Sequence, residues 1–146
     1  VWVKPRLVLS RGHYHWQHEP CWVADKPEQM EEKECEQAWY AVRKNSTAGW
    51  AGGRKQTTVW EIGFKDEAKT VHGTQKPVEC MARPIRNHSC SRDGVYEPFS
   101  GSGSTLIACE QLQKQCFAME LNPQYVAVAL QRFKDATDKD PVLENA

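Results

Sequence analysis

Val95-Tyr96-Glu97-Pro98-Phe99-Ser100-Gly101-Ser102-Gly103-Ser104-Thr105-Leu106-Ile107-Ala108-Cys109-Glu110 reads as strand, tight turn and helix. A short apolar run ends in an acid, Glu97. Gly101 and Gly103 then stand one residue apart, ahead of a helix-forming run. That layout brings backbone N–H groups and a helix N-terminus up against a bound ligand. Glycine at both positions lets the loop take left-handed φ and lets a ligand come close to the backbone. Further on, Cys116 to Met119 reads as a second buried strand, and it too ends in an acid, Glu120. A carboxylate about 20 residues past a Gly-rich turn, at the tip of the neighbouring strand, can accept hydrogen bonds from ribose hydroxyls. The pattern points to a nucleoside derivative. A dinucleotide fingerprint needs a third glycine where Leu106 stands, so a nicotinamide or flavin is disfavoured against another nucleoside cofactor.

These residues carry a resemblance. Glu97 to Thr105, followed by Met119-Glu120-Leu121-Asn122-Pro123, is similar to the cofactor half of the S-adenosylmethionine-dependent DNA amino-methyltransferases, the N6-adenine and N4-cytosine type. His72-Gly73-Thr74-Gln75-Lys76-Pro77-Val78-Glu79 resembles the Thr-x-Lys-Pro segment that also touches the cofactor there. Its place upstream of the Gly-rich loop implies the permuted order, with the catalytic part first, and the likeness is to phage and mobile-element enzymes. The resemblance implies a partial Rossmann-like α/β sheet with flanking helices and a DNA substrate. It also implies S-adenosylmethionine held by Thr74, Lys76, Pro77, Glu97, Pro98, Phe99, Gly101, Gly103, Ser104, Glu120 and Asn122.

The 146 residues allow one domain with a modest core. With 19 basic and 19 acidic residues, only local clusters can argue for nucleic-acid binding. The cysteines, at 21, 35, 80, 90, 109 and 116, form no Cys-x-x-Cys pair, which argues against a structural zinc site. Cys80, Cys109 and Cys116 fall in apolar patterns and read as free thiols of a reducing cytoplasm. No signal peptide or membrane-spanning apolar run is present.

Taken in order, Val1 to Val3 begins as a strand, and Lys4, Arg6 and Arg11 follow in a strand or loop. His13, His15 and His18 invite a metal, but on a strand His13 and His15 share a face that His18 does not, and no metal is assigned. By resemblance this segment lies beside the substrate pocket, where His13, His15 and Trp16 would meet a flipped base. A surface hairpin with hydrogen-bonded histidines is the alternative. Residues 23–39 are rich in acids and, against the resembling enzymes, look like an insertion, either a partner contact or flap or simply a tolerated surface loop. Arg43, Lys44, Arg54 and Lys55, interleaved with Trp50 and Trp60, suit a DNA-facing loop or a solvated one. Val59 to Ile62 is expected as a short strand and 63–71 as polar linker.

Thr74 to Pro77 should open a helix whose buried face is Val78, Met81, Ala82 and Ile85, with Pro84 bending or ending it early. Asn122 caps a second helix with Pro123 in its first position. Val126, Ala129, Leu130 and Phe133 mark its buried stripe. Fraying is expected from Asp135 onward.

Enzymes of the resembling family grip the target amine with Asp, Asn or Ser, then Pro-Pro, then an aromatic. No Pro-Pro occurs in this sequence, so no catalytic residue is assigned. Asn122-Pro123-Gln124-Tyr125 reads as a helix cap. In the permuted order the missing loop lies upstream of Val1. The expectation is therefore the C-terminal part of a longer enzyme: a fragment, one subunit of a split enzyme, or a remnant. A parallel sheet without its centre has open edges, which a homodimer or a complementary catalytic subunit could close. The target base, adenine or cytosine, stays open with that loop.

Overall fold

The computed structural model describes residues 2–8, 16–19, 38, 40, 45, 49–62, 75–91 and 93–144. Two compact units are present: Val1–Ala48 with Gly53–Trp60, and Gly49–Gly52 with Glu61–Ala146.

In the first unit, β1 (Trp2–Val8) pairs antiparallel with β2 (Trp16–Glu19). Trp2 faces Glu19 and Val3 faces His18, but the register has shifted where Val8 meets Trp16. Pro5 lies inside that interval and has no N–H to give the ladder, which accounts for an irregularity there. The expected strand at Val59–Ile62 does not form. The Thr57 hydroxyl donates to the Val59 carbonyl at 2.7 Å, and the Trp60 indole donates to the Thr57 carbonyl at 2.8 Å. Such local side-chain bonds offer the backbone a turn in place of a ladder.

The second unit is α/β. Helix α1 (Val78–His88) precedes strand β3 (Gly94–Glu97), helix α2 (Ser104–Gln111), strand β4 (Gln115–Ala118) and helix α3 (Pro123–Thr137). β3 and β4 run parallel, with Val95 beside Cys116 and Glu97 beside Ala118. A parallel pair needs a crossover, and α2 supplies it. This βαβ unit is the partial Rossmann-like arrangement expected from the sequence.

The core lies where α1 meets α2. Val78, Ala82 and Ile85 from α1 pack with Ile107, Ala108 and Cys109 from α2, and Val95, Leu112 and Cys116 close over them. Burying a Val or Ile side chain stabilises by roughly 1.5–3 kcal/mol, and an alanine by less. That explains why Pro84 does not end α1, which runs through it to His88. Val78 and Ile85 anchor the helix on either side, against a cost of about 3 kcal/mol for an interior proline. On the solvent side Glu79 accepts from Arg83 and Arg86, and the Arg86 bond holds its carboxyl below the usual carboxylate range.

Helix α3 departs from its expected stripe. Ala129 is buried, but Leu130 is 42% exposed. The face that matters is the one reaching Gly103: a Cβ there would sit 2.8 Å from the Ala129 Cβ. The helix continues past Asp135 to Thr137, where the left-handed Asp138 donates its N–H back to the Lys134 carbonyl. On the other face of the sheet, Tyr96, Phe117 and Met119 are all more than half exposed among the described residues. No helix among the described residues is long and apolar enough to cross a membrane.

Candidate functional site

The loop between β3 and α2 is held open by backbone conformations that suit glycine, Gly101 at φ 53° and Gly103 at φ 80°. Gly103 donates to the Ser100 carbonyl, and Ser100 donates to the Met119 carbonyl, each at 2.9 Å. The turn is thereby tied to the end of β4. Gly103 is also the N-cap of α2, and no side chain caps that helix. A helix N-terminus left this way favours acceptors and negative charge.

Two carboxylates flank the loop. Glu97, ending β3, accepts from the Phe99 N–H and from the Thr105 hydroxyl, both at 3.0 Å. Glu120, just past β4, accepts from the Gly101 N–H at 2.8 Å and the Asn122 N–H at 2.9 Å. A carboxylate offers about four acceptor directions, so it can serve several donors at once. A third element closes the site: the Ser104 hydroxyl donates to the Lys76 carbonyl at 2.6 Å, fastening the entrance of α1 to the start of α2.

These pieces enclose a cleft of about 370 Å³ lined by Lys76, Glu97, Phe99, Gly101, Ser104 and Glu120 from the sequence-derived set. That volume is in the range of small-molecule sites. The other candidates stand around it. Pro77 is the N-cap residue of α1, Pro98 sits in the turn after β3, and Gly103 packs on Ala129. Asn122 caps α3, its side chain accepting from the Gln124 N–H at 2.9 Å. Thr74, His13, His15, Arg43 and Lys44 lie outside the described residues, and Trp16 is described only as a backbone position in β2. Arg54 and Lys55 are exposed in a turn of the first unit.

The cleft also has Met81, Ser100, Ser102, Thr105 and Tyr125 in its wall, none of them singled out by sequence. Met81 was legible only as part of the buried face of α1, and it is half-buried at the cleft. Tyr125 lies in the first turn of α3, four residues before Ala129 and on the same helix face. That spacing could have signalled it.

Beneath Glu97 lie two thiols. Burial, the neighbouring Cys116 and the negative charge of Glu97 push Cys109 up to about 12, and burial raises Cys116 as well. Both stay protonated at neutral pH and act as core, whereas Cys90 is exposed. Iodoacetamide at pH 8 should modify Cys90 at least about tenfold faster than Cys109, because the thiolate is the reactive species. Peptide mapping by mass spectrometry reads this directly, and equal rates would contradict the packing. Among the described residues no group of His, Cys, Asp or Glu is placed to hold a metal ion.

Known proteins resemble this chain in part of its sequence. It is similar to the type II methyltransferase M.Cfr9I of Citrobacter freundii, 35% identical over 96 residues that cover 66% of this chain and 31% of that one. It is also similar to M.BglII of Bacillus subtilis, 24% identical across 96% of this chain and 42% of the relative. The chain thus spans 31–42% of the length of these curated relatives. Among solved structures, the complex of M1.HpyAVI with its SAM ligand aligns at TM-score 0.42 and 29% identity, over 53% of this chain and 45% of that one. The profile of the N6/N4-type DNA methylases matches residues 1–131, and the chain belongs to that DNA methylase family.

Proposed function

We propose that the second unit is the S-adenosylmethionine-binding half of a DNA amino-methyltransferase. The observation that carries this reading is the cleft in which Glu97 and Glu120, at the ends of adjacent parallel strands, flank the Gly101–Gly103 turn. The donor set fits the cofactor. Glu120 is a carboxylate of the cleft wall, the group type that accepts from ribose hydroxyls, Phe99 and Met81 offer apolar surface to a base, and the Lys76–Pro77 entrance to α1 suits the amino-acid end. Once bound, S-adenosylmethionine supplies an electrophilic methyl group. The chain's own residues bind and orient it.

The acceptor is DNA, methylated on an exocyclic amine of adenine or cytosine, in line with family membership. The Pro-Pro-aromatic grip on that amine is absent from this sequence, so the transfer needs a loop from elsewhere, on a longer chain or a separate subunit. The exposed side chains on that sheet face favour such completion by a partner. Tyr96, Phe117 and Met119 are exposed side by side, with the Tyr96 hydroxyl 3.7 Å from the Met119 sulfur. Parallel sheets are normally covered on both faces. His13, His15, Trp16, Arg43, Lys44, Arg54 and Lys55 belong to this proposal as the DNA-facing set, and a homodimer is the other way to cover the sheet.

Calorimetric titration of the chain with S-adenosylhomocysteine tests the cofactor reading. Saturable one-to-one binding is expected. A folded sample that takes up no ligand would overturn it. Light scattering on the same sample reads self-association.

A further inference from the structure

Arg132 enters none of the motifs discussed so far, yet it touches the centre of the loop. Its Nη1 is 2.6 Å from the Ser102 carbonyl oxygen, 3.0 Å from the Ser102 hydroxyl and 3.2 Å from the Ser104 hydroxyl. Ser102 and Ser104 are both buried. Arg132 lies one turn after Ala129 on α3, so the two share a helix face. Ala129 is small enough to let α3 approach Gly103, and Arg132 then reaches past it to the loop.

The Ser104 hydroxyl does two things at once, accepting from Arg132 and donating to the Lys76 carbonyl. A continuous polar connection therefore runs from α3 through the Gly-rich loop to the entrance of α1, joining the three segments that wall the cleft. Helix stability does not explain the cation. A positive side chain beside the N-terminus of α2 opposes the helix dipole, which favours anions there. What the guanidinium supplies is a permanently charged donor, fixed in geometry, for buried acceptors that would otherwise lose hydrogen bonds.

We propose that Arg132 is a positioning residue that presets the Gly-rich loop for its ligand, acting through Ser102 and Ser104. Its role in binding rests on the cofactor reading above; its role in ordering the loop does not. With the loop preset, the amides of Gly101 and Gly103 stay in their bonds to Glu120 and Ser100 before any ligand arrives. The ordering cost is then met on folding, not on binding.

The test uses the full chain without ligand. Amide hydrogen exchange at Gly101 and Gly103 is followed by NMR in the unaltered protein, Arg132→Ala and Arg132→Lys, with thermal unfolding and S-adenosylhomocysteine titration of each. In Arg132→Ala both amides should exchange about tenfold faster and affinity should fall by a similar factor, the weight of one charge-assisted hydrogen bond. Arg132→Lys should restore part of both, since a single charged nitrogen can reach the Ser102 and Ser104 oxygens that Nη1 now serves. Exchange within twofold of the unaltered protein would overturn the proposal. So would a lysine variant as impaired as alanine, because a charged donor on a stem of that length would then not be what orders the loop. If Arg132→Ala does not fold, Ser104→Ala, which removes the middle of the connection, is read at the same amides against the same limits. Unaltered protein that binds no S-adenosylhomocysteine defeats the cofactor reading, while the exchange rates still decide the role of Arg132.

Discussion

Gly103→Val should destabilise the chain by about 3 kcal/mol and abolish cofactor binding, because two independent penalties fall on one residue. The first is conformational: at φ 80° a residue with a Cβ is strained, by roughly 1–2 kcal/mol. The second is steric. The added Cβ would lie 2.8 Å from the Ala129 Cβ and 3.2 Å from the Ala129 Cα. Backbone cannot swing aside as a flexible side chain can, so α3 must move, at an overpacking cost of roughly 1–3 kcal/mol. For a chain of this size the melting temperature should fall by about 10 °C. Gly101→Ala gives the strain for comparison. Gly101 shares the left-handed backbone, at φ 53°, and that strain by itself should cost about 1 kcal/mol. Equal losses in the two variants would mean that α3 does not press on the loop as described.

That contrast shows what the sequence could and could not convey. The strand, turn and helix at 95–110 were legible because each local choice agrees: an apolar run, glycines where φ is positive, then helix formers. Asn122 with Pro123 was legible for the same reason, since a cap is a local device. What could not be read was whatever depends on residues far apart in the chain. Pro84 looked set to bend or end the helix because a proline penalty is local, while the packing against α2 that carries α1 on to His88 is not. Leu130 fitted a helical period and still lies exposed, because the small surface that α3 covers is reached through Ala129. Arg132 reads as an ordinary surface cation until α3 is laid beside the loop thirty residues earlier.

Glu120 is where the site's local geometry and its proposed chemistry meet, and Glu120→Ala should weaken S-adenosylhomocysteine binding by about 100-fold. Its two oxygens divide the work, Oε2 taking the Gly101 N–H and Oε1 the Asn122 N–H. Truncation removes the acceptor proposed for the ribose. It also releases Gly101 from the end of β4 and frees the N–H of the residue that caps α3. Glu120→Gln is the sharper experiment. Glutamine keeps the length, but only one of its two terminal atoms accepts, so its NH2 group must face one of the two backbone N–H groups. Donor against donor in a partly buried site leaves both unsatisfied, so a loss of at least about tenfold is expected even though shape is preserved. A carboxylate whose bonds to these N–H groups were incidental would tolerate the amide far better. Calorimetry on both variants, with melting curves to confirm that they fold, distinguishes the cases. Binding by Glu120→Gln within twofold of the unaltered chain would remove Glu120 from the site, and with it the main reason for placing a ribose beside Gly101.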